Sequence, residues 1–227
     1  MAVNTDGVLL GAWLQHVQPA PANVLDVGTG CGVIALMAAQ LFPDATVEGI
    51  EVDAPSACEA KANAEASPWA PRLTIHQGDF KTFKQGADIP PEARYSLLVS
   101  NPPFFTNALP APDKRRHTAR HSTEDSLPHA LLVEQAARLL APDGCLAVIL
   151  PADKEAPFLT LSAAHGLFPN RCTRVQTRPS APPTRVLLLL RKGPSDLHTD
   201  TLSLYNENGA GYSAAYTALV HDFYLWA

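Results

Sequence analysis

Cysteine is scarce and dispersed in this chain: Cys31, Cys58, Cys145 and Cys172 form no Cys-x-x-Cys pair and have no histidine at metal-ligand spacing. That excludes a disulfide scaffold and argues against a zinc site, and four reduced thiols are expected of a cytoplasmic protein. Long apolar runs are absent too. Nothing approaches the roughly 18 residues of a membrane span, and Val8 to Leu14, the longest apolar stretch near a terminus, has no basic region before it. Neither a membrane partner nor a signal peptide is expected. A general excess of positive charge is also missing. The net charge of −5 excludes a protein that coats nucleic acid indiscriminately. Internal repeats and low-complexity tracts are lacking as well.

What remains is a regular alternation of strand and helix signals over 227 residues, a length that suits one domain, 1–227. Apolar spacing predicts a helix from Asp6 to Val17 with Thr5 or Asp6 as its cap. Strands are predicted at 23–27, 46–51, 72–76, 95–100 and 144–150. Helices are predicted at 33–41, 54–66, 126–140, 153–165 and 212–225. Residues 173–178 and 184–190 read as two further strands joined by a Pro-rich turn. The pattern predicts an α/β fold: a mostly parallel, seven-stranded Rossmann-like sheet with helices on both faces and one antiparallel strand at its edge.

The strand ends carry the chemistry. Asp26-Val-Gly28-Thr-Gly30-Cys-Gly32 lies between the first strand and its helix, where glycines allow a tight turn and close approach of a ligand to the main chain. A nicotinamide fingerprint needs its third glycine at position 33, which is Val33. The spacing instead resembles the first motif of class I S-adenosylmethionine-dependent methyltransferases. Glu51 ends the second strand, where a carboxylate can accept from two ribose hydroxyls. Asp53 reads as the cap of the next helix. Asp79 and Phe80 follow the third strand. The fourth ends in Asn101-Pro102-Pro103-Phe104, with Phe105 behind it. Proline fixes its own φ and pushes the preceding residue into an extended conformation. The Asn101 side chain and the Pro102 carbonyl become rigid acceptors beside an aromatic plate, an arrangement suited to a planar group bearing an NH2. Carboxyl ends of adjacent parallel strands share one edge, so all four features are expected in one crevice.

These motifs, with Thr5-Asp6-Gly7-Val-Leu-Leu-Gly-Ala-Trp13, the Asn63 to Trp69 stretch ending Ser-Pro-Trp, Tyr212-Ser-Ala-Ala-Tyr-Thr-Ala-Leu219 and Phe223-Tyr-Leu-Trp226, resemble the amino methyltransferases of the Asn-Pro-Pro-(Tyr/Phe) group. Within that group the chain looks like the bacterial enzymes that methylate N6 of adenine 37 in a valine tRNA. The resemblance covers nearly the whole chain. It implies S-adenosylmethionine as cofactor, no metal, a tRNA substrate and no obligate protein partner. By the same resemblance, Thr5 and Asp6 are expected near the methionine end of the cofactor. Asp26, Gly28, Gly30, Gly32, Glu51 and Asn101 are expected around it, with Asp79 on the adenine amine and Phe80 on its ring. Asn101, Pro102, Pro103 and Phe104 are the expected catalytic group.

Lys114, Arg115, Arg116 and Arg120 follow that loop and are expected, with Phe104 and Phe105, to contact RNA. A second basic stretch, residues 171–192, holds six Lys and Arg and no acid, which marks one side of the molecule for a polyanion. Two departures accompany the resemblance. Phe104 stands where tyrosine is commoner among adenine enzymes, and relatives usually carry a short segment ahead of the Thr-Asp-Gly stretch. Phe104 keeps a guanine-N2 rRNA enzyme open as an alternative. A protein glutamine amide presents the same planar NH2, and a module that only binds cofactor or RNA is the non-enzymatic alternative.

Overall fold

The computed structural model describes residues 4–86, 90, 94–103 and 127–224. Its strands are β1 (Asn23–Val27), β2 (Thr46–Glu51), β3 (Leu73–Gln77), β4 (Tyr95–Ser100), β5 (Leu140–Pro151), β6 (Leu167–Gln176), β7 (Pro183–Lys192) and β8 (His198–Ser203). The helices are α1 (Thr5–Trp13), α2 (Val33–Leu41), α3 (Ala54–Ala66), α4 (His129–Leu139), α5 (Glu155–Ala164) and α6 (Ala214–Val220). β1, α2, β2, α3 and β4 occupy the residues that the apolar periodicity marks.

One sheet holds all eight strands in the order β3-β2-β1-β4-β5-β7-β6-β8. Only β7 runs against the others. Two expectations are thereby corrected. The sheet has eight strands rather than seven, and its antiparallel strand lies inside, between β5 and β6, rather than at the edge. The reason is burial: Val186 to Leu190 is an unbroken apolar run whose members are all at most 1% exposed. A strand apolar on both faces belongs in the interior of a sheet. β8 takes the edge, parallel to β6. Its sequence, His-Thr-Asp-Thr-Leu-Ser, buries only Leu202, so no alternation announces it.

The strands alternate between two cores. On one face Val24, Leu97, Ala147 and Leu189 meet α1, α2, α3 and α6. On the other, Leu25, Leu98, Val148 and Leu188 meet Leu132 and Ala136 of α4 and Phe158 of α5. The cap of α1 lies one residue ahead of the first residue expected to cap it. Asn4 is the N-cap, its Oδ1 accepting from the Gly7 amide at 2.7 Å, while Thr5 and Asp6 lie in the first turn. Asp53 caps α3 as expected, accepting from the Ser56 amide at 3.0 Å. Among the described residues no helix is long and apolar enough to cross a membrane.

Candidate functional site

The parallel register brings the strand ends level. Val27 pairs with Ile50 and with Ser100, and Glu51 pairs with Gln77. The glycine turn, Glu51, Asp79 and Asn101 therefore leave the sheet at one edge. Ser100 fixes the β4 end by donating its hydroxyl to the Val27 carbonyl at 2.8 Å.

Beside that edge is a crevice of about 410 Å³. Gly28, Glu51, Asp79 and Phe80 line one side of it. Leu127, Pro128, Ala130 and Leu131, at the start of α4, line the other. The volume lies in the ordinary range for small-molecule sites, and the mixture of apolar wall and few carboxylates matches such sites. Gly28 has φ +71°, and a Cβ there would meet no atom within 4 Å. A side chain at this position would be strained and would project into the open space a ligand needs.

Glu51 is almost fully buried, yet among the described residues each of its oxygens accepts only one hydrogen bond. Oε2 accepts from the Gly30 amide at 2.8 Å and Oε1 from the Asp53 amide at 3.0 Å. A carboxylate has about four acceptor positions, so Glu51 can hold the glycine turn and still take two hydroxyl donors from a ribose. Asp79 is exposed; its Oδ1 accepts from the Lys81 amide at 2.8 Å. The segment after it is clamped from two sides. Lys84 reaches the Tyr95 hydroxyl at 2.6 Å and Glu48 at 3.3 Å, while Arg138 donates to the Phe83 and Lys84 carbonyls. Phe80, buried in the α4-side core, is held at the crevice floor.

Asp26, expected around the cofactor, is not among the residues that line the crevice. It is fully buried beneath the glycine turn, with Oδ2 accepting from the Thr29 hydroxyl at 2.6 Å and the Ala35 amide at 3.1 Å. Its Oδ1 has no hydrogen-bond partner among the described residues. Burial pushes its carboxyl up to about 7, against the lowering effect of the Thr29 and Ala35 hydrogen bonds. Asp26 thus ties β1, the turn and α2 together. Gly32 starts α2 at φ +88° with the Ala60 side chain 3.4 Å from where a Cβ would stand, so it allows α2 and α3 to approach.

Asn101 is half-buried, Pro102 buried and Pro103 exposed. Asn101 is not in the crevice wall; it sits beside the start of α1, with its Nδ2 3.5 Å from Asn4 Oδ1. Asp6 forms an ion pair with Arg185 at 2.9 Å, which fixes the first turn of α1 to β7. The contact between Asn4 and Asn101 was not expected from the sequence, where the available signal was a capping-type residue immediately ahead of the apolar periodicity. The α4 wall was missed as well, because the predicted helix over 126–140 carries no motif that ties it to the strand ends. Phe104, Phe105, Lys114, Arg115, Arg116 and Arg120 lie outside the described residues.

The second basic stretch is mostly consumed by the fold. Arg171 pairs with Asp200 and Arg174 with Glu155. Arg185 holds Asp6, Arg191 donates to the Asp143 and Gln18 carbonyls, and Lys192 donates to the Leu140 carbonyl.

Comparison with known proteins gives a consistent picture. The family model described as "Methyltransferase small domain" matches residues 9–169. A tRNA1(Val) (adenine(37)-N6)-methyltransferase of Porphyromonas gingivalis is 43% identical over 231 residues, spanning 99% of this chain and 89% of that protein. The protein of the same description from Vibrio parahaemolyticus is 37% identical over 99% of this chain and 89% of its own length. Among solved structures, a predicted O-methyltransferase from Agrobacterium tumefaciens superposes with a TM-score of 0.73 at 18% identity, covering 96% of both chains. At that identity the structural likeness establishes the class I methyltransferase fold alone.

Proposed function

The chain belongs to the family of tRNA1(Val) (adenine(37)-N6)-methyltransferases, and we propose that it transfers a methyl group from S-adenosylmethionine to the exocyclic N6 of an adenine in tRNA, adenine 37 of a valine tRNA. One observation supports the reading most: the Asn101-Pro102-Pro103 turn leaves β4 on the same edge as the crevice that Gly28, Glu51, Asp79 and Phe80 line. The acceptor pair and the cofactor-sized space are thus side by side.

S-adenosylmethionine supplies an electrophilic methyl group on a positively charged sulfur. Glu51 would accept from the ribose hydroxyls, and Asp79 from the adenine amine of the cofactor. Phe80, Leu127 just ahead of α4 and Leu131 within it would enclose the ring between apolar surfaces. Asp6, held by Arg185, would face the methionine end.

The nucleophile is weak, because the N6 lone pair of adenine is delocalised into the ring. Asn101 Oδ1 and the Pro102 carbonyl would accept hydrogen bonds from the two N6–H groups and localise that lone pair. They would also aim it at the methyl carbon from roughly 3–3.5 Å. Transfer would form the N–C bond as the C–S bond breaks, with the sulfur leaving as a neutral thioether and the N6 proton passing to solvent. No side-chain nucleophile takes part. The target base must leave its stack to reach this turn, and Phe104 would stack on the extruded ring.

The test is incubation of the protein with methyl-labelled cofactor and unmodified tRNA, followed by nucleoside mass spectrometry. N6-methyladenosine is the expected product. Asn101→Ala should lose turnover by about 100-fold or more while keeping cofactor affinity. Label in guanine, or near-normal turnover by Asn101→Ala, defeats the reading.

A further inference from the structure

The carboxyl edge of the sheet continues beyond the crevice. β8 ends there at Ser203 and β6 at Gln176, since both run parallel to β4. The chain after β8 makes a hairpin: Tyr205 bridges Tyr212, the Asn206 amide donates to the Gly211 carbonyl at 2.9 Å, and the Gly209 amide to the Asn206 carbonyl at 3.0 Å. Tyr205 and Tyr212 stack with ring centroids 5.2 Å apart and planes 17° from parallel. Tyr212 in turn lies 5.1 Å from Tyr216, which is buried. The three rings form a column whose base is fixed in the core. Its outer member, Tyr205, is 38% exposed and Tyr212 45%.

Arg178 stands next to this column. The Tyr205 amide donates to the carbonyl of the neighbouring Thr177 at 2.9 Å. The Arg178 side chain lies against the hairpin tip, 3.6 Å from where a Cβ on Gly209 would be. Of the six basic residues in 171–192, the other five hold partners within the fold. Arg178 is exposed, and its guanidinium has no hydrogen bond or ion pair among the described residues. The hairpin from Tyr205 to Tyr212 contains one acid, Glu207.

We propose that Tyr205, with Arg178 beside it, is a second RNA contact: a stacking platform and phosphate clamp that holds tRNA nucleotides away from the target base. An exposed aromatic face next to an unpaired guanidinium is the combination by which proteins hold unpaired nucleotides. Position supports the same occupant. β8 is four places from β4 in the sheet, about 19 Å at the usual strand spacing. That distance equals about five to six nucleotides of a stacked strand. An anticodon loop with one base at Asn101 can therefore reach Tyr205 along the same edge. The proposal rests on the tRNA reading above.

The test titrates unmodified tRNA into the full chain and three variants, at several salt concentrations, with cofactor affinity and thermal midpoint as controls for folding. Tyr205→Leu should weaken tRNA binding about fivefold or more, whereas Tyr205→Trp, which keeps a stacking face, should bind as the wild type does. Arg178→Gln should weaken binding and make log affinity against log salt shallower by about 0.7–0.9. Cofactor affinity should not change in any of them. Unchanged tRNA affinity and salt slope in Tyr205→Leu and Arg178→Gln overturns the proposal, as does an equal loss in Tyr205→Leu and Tyr205→Trp. Wild-type protein that binds tRNA without methylating it defeats the proposed reaction instead, and the same titrations still decide the platform.

Discussion

Asn101 enters the carboxyl edge with one branch of its amide already directed. Its Nδ2 faces Asn4 Oδ1, so its Oδ1, the atom proposed to accept from N6, points along the other branch. The contact is long at 3.5 Å, which is common for catalytic hydrogen bonds before substrate binds. Asn4 has two duties, because the same oxygen caps α1 through Gly7. Asn4→Ala removes both. It should cost about 1 kcal/mol as a lost cap and lower kcat by about tenfold or more through misalignment of the acceptor, with little change in KM for the cofactor. Asn4→Asp retains an oxygen at both contacts and should restore kcat. Steady-state kinetics with a parallel urea titration separates the two effects. If Asn4→Ala loses stability but keeps the wild-type kcat, Asn4 is a cap and nothing more.

At the scale of elements, the first βα unit depends on a carboxyl buried against its own preference. Asp26 is pushed from 3.8 up to about 7 mainly by burial. The sign follows from linkage. Between those values the folded protein binds the proton and the unfolded chain does not, so stability falls as pH rises from about 4 to about 7 and is level above that. Asp26→Asn keeps an acceptor for Thr29 and Ala35 but cannot titrate. The difference in unfolding free energy between wild type and variant should therefore shift in the variant's favour across that window, as urea titrations at a series of pH values would read. A constant difference would mean that Asp26 is ionised throughout. Legibility differed among elements for physical reasons. β1, β2 and β4 are apolar runs bounded by turn residues, and α2 and α3 start at a glycine and a capping aspartate, so all five could be read from the chain. The placement of β7 was also available in Val186 to Leu190, whose unbroken apolar run requires burial on both faces. β8 was not, because an edge strand that buries one leucine carries no period. Of the crevice lining, Glu51 and Asp79 could be read because one ends β2 and the other follows β3 by two residues. The α4 wall could not, since it reaches the edge by packing from a distant part of the sequence; Asn4 was legible as a capping-type residue, but its contact with Asn101, 97 positions away, was not.

For the molecule as a whole, the strand that was hardest to read is coupled to the residue proposed to be most important. α1 runs from Asn4 at the carboxyl edge to Trp13, whose indole Nε1 donates to the Thr173 hydroxyl of β6 at 2.9 Å. Thr173 donates in turn to Asp200 of β8, which also receives Arg171. Trp13, Val175, Leu202, Tyr216 and Val220 share one core, so β6, β8, α1 and α6 should unfold as a unit and hold Asn4 in place together. Thr173→Val conserves shape but leaves a buried indole N–H without an acceptor and Asp200 one donor short. That should cost about 1–3 kcal/mol, whereas Thr173→Ser, which keeps the hydroxyl, should cost less. Urea unfolding ranks the two. Hydrogen exchange adds the spatial part: in Thr173→Val, amides of α1 and α6 should lose protection together, while those of α4 on the opposite face change less. Equal stability of the valine and serine variants would show that packing alone seats α1, and the orientation of Asn101 would then depend on its own turn rather than on the far edge of the sheet.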